Sequence, residues 1–151
     1  MRLLTVGRPR DQRMAGLVDE YVTRLGPVAM RWEVVAEVPF KRGQEHVSQT
    51  RESERLLTKL SPGDYVVLLD IAGEMVDSLG LARHLDKWRS LSRPVTLVVG
   101  GSTGTSDAVR ARADWRWSLT PLTLPHGLAQ VVVVEQIYRA WTILQGHPYH
   151  K

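Results

Sequence analysis

Two uninterrupted β-branched runs, "DYVVLLDI" (64–71) and "PVTLVVG" (94–100), flank a stretch whose apolar residues recur at helical spacing (78–91). Neither run alternates with polar residues, so each reads as a strand covered on both faces. Strands covered in this way are parallel, and a parallel pair needs a crossover of a dozen or more residues, which 78–91 supplies as a helix. Leu79, Leu81, Ala82, Leu85 and Trp88 can share its inner face. "RLLTV" (2–6) and "WEVVAEV" (32–38) add two further strands, with amphipathic stretches at 11–25 and 48–60. Strand and helix in alternation place the chain in the α/β class, with a parallel sheet.

The pattern changes after Gly104. "TSDAVRARADWRW" (105–117) reads as a short helix capped by Thr105 or Ser106, and "SLTPLTLPHG" (118–127) carries too many breakers for regular structure. "LAQVVVVEQIYRAWTILQ" (128–145) is a helix-length segment, apolar almost all round and closed by Gly146. A helix with so little polar surface needs cover, and in a chain this small a second copy is a natural one, which predicts a homodimer. The 151 residues suit one domain with one core, spanning 1–151. There is no cysteine, which excludes disulfides and thiolate chemistry. Only five residues separate Arg2 from Arg8, too few for a signal-peptide core, and no apolar run approaches the roughly 20 residues of a membrane helix. The cytoplasm is the expected compartment. A net charge of +4, carried mostly by arginine, suits a polyanionic partner, although codon bias gives the same excess and composition alone does not choose.

Two segments could carry chemistry. "VVGGSTGTS" (98–106) runs from a strand through a glycine turn into a helix start, where free N–H groups favour anions. The dinucleotide pattern G-x-G-x-x-G fails because Ser102 and Thr120 stand at required positions, and no Gly-Lys-Ser/Thr follows. The turn is either a ligand cradle or a tight βα connection. "LTPLTLPHG" (119–127) is an apolar, proline-punctuated loop that either lines a pocket or buries itself as a connector. Glu135 and Arg139 stand four apart on one helix and can pair. His126, His147 and His150 lack metal-ligand spacing, and no metal is expected. The ending "HPYHK" (147–151) is richer in rings and donors than a fraying terminus, so it is docked or used.

"LVVGGSTG" (97–104), "WSLTPLTLPHGLAQVVVVEQIYRAW" (117–141) and the terminal "HPYHK" closely resemble the RlmH family of SPOUT-class methyltransferases. "LLTVGRPR" (3–10), "KRG" (41–43) and "LLDIAGE" (68–74) fit the same pattern, so the resemblance spans the chain. It implies an α/β SPOUT fold with a C-terminal trefoil knot, an exception to the rule that chains do not thread loops. It also implies a homodimer that uses S-adenosyl-L-methionine to methylate N3 of pseudouridine 1915 in 23S rRNA of the assembled 70S ribosome. Arg8, Ser102, Thr103, Gln130 and Lys151 differ from residues frequent in the family.

Carried over by motif, the resemblance implies cofactor binding by Leu69, Gly100 and the loop Leu119, Thr120, Pro121, Leu122, Thr123 and Leu124. His126 becomes a loop anchor at the edge of the site, with Glu135 and Arg139 as organisers of the pocket or the dimer. The tail then orders against the target nucleotide over the pocket. His150 accepts the N3 proton, Tyr149 stacks on or hydrogen-bonds the base, and Lys151 holds phosphate. Two other readings use the same residues: a nucleotide- or RNA-binding module without catalysis, and a related enzyme acting on tRNA.

Overall fold

A computed structural model describes residues 1–150. The chain runs β1 (Arg2–Val6), α1 (Gln12–Arg24), a 3-10 turn (Gly26–Val28), β2 (Arg31–Val35), α2 (Glu45–Lys59), β3 (Tyr65–Met75) and α3 (Ser78–Arg89). It continues through β4 (Val95–Val99), α4 (Asp107–Arg112), β5 (Trp115–Ser118) and α5 (His126–Leu144). The five strands form one sheet in the order β2-β1-β4-β3-β5, and every pairing is parallel. The α/β class and the parallel sheet read from the sequence are thus correct.

The unbroken apolar runs are explained by cover on both faces. Leu3, Val67, Leu97 and Val99 belong to one buried cluster with Leu81, Leu85, Val133 and Ile137 from α3 and α5. Leu4, Val66, Leu68 and Val98 belong to a second cluster with Leu56 of α2 and Val109 of α4. Successive residues along a strand alternate between the two clusters, as the two-residue period of a strand requires. In α3 the predicted inner face is buried except at Leu79, which is 50% exposed at the first turn.

The sequence missed β5, because residues 105–117 read as one helix. Only Asp107–Arg112 is helical, and the chain then joins the sheet edge beside β3. Asp114 sets that junction: its backbone N–H donates to Val66 O at 2.9 Å, and its Oδ2 accepts from Val66 N at 2.8 Å. Burial opposes ionisation of Asp114, but the Val66 N–H and the Arg93 and Arg112 guanidiniums outweigh it and hold its carboxyl below the usual range. Pairing with a strand about 50 residues away decided this segment, against a local helical pattern.

The β3–β5 register shifts between Leu69 and Glu74, a bulge that carries residues 70–73 out of the regular ladder. Gly73 permits it, since a Cβ there would lie 2.7 Å from the backbone C and O of Arg116. The bulge leaves Asp70 and Ile71 at the carboxyl ends of the strands, where open α/β sheets bind ligands. Among the described residues no helix is long and apolar enough to cross a membrane.

Candidate active site

A cavity of about 450 Å³ lies outside the carboxyl ends of β3, β4 and β5. One wall is the turn after β4, where Gly104 N donates to Gly101 O at 3.0 Å and Gly104 takes a φ of +76°. At Gly100 a Cβ would sit 2.7 Å from Thr105 Cγ2, so a side chain there would be forced against the next turn. Helix α2 braces this wall: Gln49 Nε2 donates to Thr103 O at 2.8 Å, and Ser106 N donates to Ser53 Oγ at 2.9 Å.

The facing wall is the loop between β5 and α5. Leu119, Thr120, Leu122, Thr123 and Leu124 line the cavity, together with Leu69 and Gly100. Seven of the eight residues expected to hold a cofactor therefore surround one space. Pro121 lines neither of the two cavities described here and faces solvent. The loop is folded on itself by Leu122 N donating to Thr120 Oγ1 at 3.2 Å and Ser118 Oγ donating to Thr120 O at 3.1 Å. Both ambiguous segments of the sequence resolve towards a pocket. Neither is a buried connector.

Asp70 is the polar feature that sequence reasoning missed. Its Oδ1 accepts from Ala72 N at 3.0 Å, while its buried Oδ2 has no hydrogen-bond donor among the described residues and only the Arg116 guanidinium at 3.5 Å. Thr103 Oγ1 is likewise buried on this wall without a partner. Buried polar atoms without partners cost free energy, so both side chains would gain from a hydrogen-bonding group in the cavity. The adjacency of Asp70 to the strand end was the one signal available, and only the bulge turned it inward.

A family model described as "Predicted SPOUT methyltransferase" matches residues 1–150. A protein of Hahella chejuensis described as ribosomal RNA large subunit methyltransferase H is 43% identical over 155 residues, an alignment covering 100% of this chain and 98% of the relative. One of Pseudomonas aeruginosa with the same description is 44% identical, covering 100% of this chain and 99% of the relative. This chain belongs to the RlmH family of SPOUT methyltransferases. The crystal structure of the SpoU methyltransferase AviRb from Streptomyces viridochromogenes, in complex with the cofactor AdoMet, aligns with a TM-score of 0.47 and 16% identity, over 92% of this chain and 57% of that one.

The tail of this RlmH-family chain is docked, but away from the cavity. Tyr149 Oη donates to Glu135 Oε1 at 3.1 Å and lies 3.0 Å from Tyr21 Oη. Tyr149 thus links α5 to α1 through its hydroxyl, and either hydroxyl can donate in the bond to Tyr21. Its ring meets Tyr138 edge-on at 4.9 Å, and the Arg139 guanidinium lies 4.8 Å from its centre. Arg139 also pairs with Glu135 across one helical turn, as the i,i+4 spacing predicts. Burial first, then Tyr21 and Glu135, push the Tyr149 hydroxyl far above the ordinary tyrosine range. The hydroxyl stays protonated at any physiological pH.

None of Glu135, Arg139, Tyr149 and His150 lines the cavity of its own chain, and His150 is exposed. His126 does line it, at the first turn of α5, with Nε2 3.2 Å from Glu37 Oε1. Lys151 lies outside the described residues. Gln130, the uncharged departure on α5, is fully buried and donates to Gly7 O at 3.2 Å, which places it in the core rather than on an RNA-facing surface.

Proposed function

We propose that this chain is the S-adenosyl-L-methionine-dependent methyltransferase acting on N3 of pseudouridine 1915 in 23S rRNA of the assembled ribosome, working as a homodimer in the cytoplasm. Its curated relatives, alike over the full length, are described as large-subunit rRNA methyltransferases. The observation that carries the reading is the single cavity joining the glycine turn to the 119–124 loop, with the open Asp70 oxygen on its wall. That cavity fits the donor chemically: its volume suits a nucleoside-sized ligand, its loop walls are aliphatic with backbone polar groups, and Asp70 and Thr103 await hydroxyl or ammonium donors. When bound, the donor supplies a methyl group on a sulfonium, an electrophile that needs a nucleophile in line.

The chain's own residues do the rest. Leu69, Gly100 and the loop residues 119–124 hold and orient the donor and keep water from it. Pro121 stiffens that loop from outside. His150 takes the N3 proton as the positioned base. Tyr149 anchors the tail against α5 and α1, and Glu135 and Arg139 fix that anchor. Lys151 and the basic surface hold the phosphate backbone. The cavity and the tail cluster are separate on one chain, so a second copy must bring His150 to the acceptor base. That need supports the homodimer. The C-terminal trefoil knot and the reading of 1–151 as one domain belong to the same proposal.

The test is transfer of labelled methyl from S-adenosyl-L-methionine to ribosomes lacking the modification, beside naked 23S rRNA and bulk tRNA. Label confined to one pseudouridine of assembled ribosomes is the expected result. Donor binding without label in any RNA would turn the chain into a binding module, and label in tRNA would change the substrate.

A further inference from the structure

A second cavity of about 450 Å³ adjoins the first, and Ser102 and His126 line both. Glu52 of α2 lines it while only 4% exposed. One carboxylate oxygen, Oε1, accepts from Val38 N at 2.8 Å. The other, Oε2, is buried and has no hydrogen-bond partner among the described residues. Gly101 brings that oxygen up to the turn walling the first cavity, because a Cβ at 101 would collide with Glu52 Oε2. The neighbouring carboxylate of Glu37 has Arg10 at 3.6 Å and His126 Nε2 at 3.2 Å beside it, although that buried Nε2 makes no hydrogen bond. Glu52 Oε2 has neither a hydrogen-bond donor nor a cation beside it among the described residues. A buried carboxylate oxygen in this state is costly, and a donor N–H from a ligand removes the cost. At the rim stand Phe40, 40% exposed, and the solvent-facing Arg10, an aromatic face and a cation of the kind that hold a splayed-out nucleotide.

We propose that this second cavity receives the acceptor base and that Glu52 Oε2 accepts the N1–H of pseudouridine, making Glu52 the residue that distinguishes pseudouridine from uridine. The proposal rests on the methyltransferase reading above. In uridine N1 carries the glycosidic bond and has no proton. In pseudouridine the bond goes to C5, so N1–H is free and flanks the same C2 carbonyl as N3. With N1–H on Glu52, N3 stands on the far side of that carbonyl, free of this contact. Uridine presents a C–H at the same place and leaves the carboxylate unpaired, the situation in which a site rejects an analogue most strongly.

The test uses the full chain and its Glu52→Gln variant, with ribosomes that carry either pseudouridine or uridine at the target position. Oε1 must remain an acceptor for Val38 N–H, so the amide turns its NH₂ to the Oε2 position and faces N1–H donor to donor. We expect the variant to lose about 100-fold in kcat/KM on pseudouridine ribosomes, with the rate on uridine ribosomes and the affinity for S-adenosyl-L-methionine unchanged. Equal losses on both ribosomes, or none, would overturn the assignment. Wild-type protein that binds the donor but methylates neither ribosome would instead overturn the methyltransferase reading, and this proposal with it. A measurement without any variant is ligand-observed NMR of wild type with pseudouridine, uridine and N1-methylpseudouridine nucleosides. Saturation transfer to pseudouridine alone is the expected result, and equal transfer to all three would sink the idea.

Discussion

Tyr149 Oη lies 3.1 Å from the Glu135 carboxylate, and this bond fastens the last residues of the chain to α5. Tyr149→Phe removes it together with the Tyr21 contact, in a half-buried setting. The expected loss is about 1 kcal/mol of stability in urea unfolding, with faster proteolytic trimming of the C-terminus. Methyl transfer should fall while donor affinity, measured by calorimetry, stays at the wild-type level. A tail no easier to trim would show that the aromatic packing alone holds it.

His150, one residue on, is exposed. His150→Ala should lower kcat about 10²- to 10⁴-fold, the usual contribution of a positioned acid–base group, with donor affinity unchanged. Loss of turnover and donor binding in equal measure would favour a structural role for the residue.

Asp70→Asn tests the open oxygen of the donor cavity. The amide keeps the Ala72 contact through its oxygen and replaces the acceptor at Oδ2 by a donor. Affinity for S-adenosyl-L-methionine should weaken at least about tenfold, as expected for a lost hydrogen bond to a charged group, while the melting temperature changes little. An unchanged affinity would move the donor's polar groups elsewhere in the cavity.

Gly73→Ala tests the bulge. The added Cβ would meet Arg116 backbone atoms at 2.7 Å, and backbone cannot step aside as a side chain can. A loss of about 1–3 kcal/mol is expected in chemical denaturation. Because the bulge aims Asp70 and Ile71 into the cavity, donor affinity should fall as well. Full stability would mean that β5 shifts along its edge without penalty.

His84 stacks on Trp115 with ring centres 4.1 Å apart, and burial, aided by Lys87 and Arg83 against Glu74, lowers its imidazole below the ordinary histidine value of about 6.5. A folded value below the unfolded one means that stability is complete above about pH 6.5 and is lost as pH falls through the folded value. His84→Phe keeps the stacking and removes the proton uptake, so its melting temperature should fall less on acidification. An NMR titration placing the His84 midpoint at or above 6.5 would contradict this.

Much of the fold was legible because strand and helix periods are local properties. The runs at 64–71 and 94–100 could only be strands covered on both faces, and Val66, Val67, Leu97 and Val98 divide between the two clusters in that way. The two loops that wall the cavity were visible as breaks in the periodicity, since glycine and proline leave marks that need no partner to interpret, but the residues alone left open whether they line a pocket, and the family resemblance made that choice. Their joining into one cavity could not be read from spacing, because it depends on β4 and β5 flanking β3 in the sheet.

The sequence by itself determined the class, the parallel sheet, the family and the residue types available for chemistry. Tertiary structure alone decided that "WRWS" is an edge strand, that Asp70 lines the cavity, that Glu52 keeps one bare oxygen, and that the tail docks on α5 away from its own cavity. Each of these depends on backbone or side-chain groups brought together from distant parts of the chain, such as Asp114 on Val66 and Tyr149 on Tyr21. Local periodicity carries no information about such closures. Their free energy comes from burial and hydrogen bonds that exist only once the whole sheet has formed.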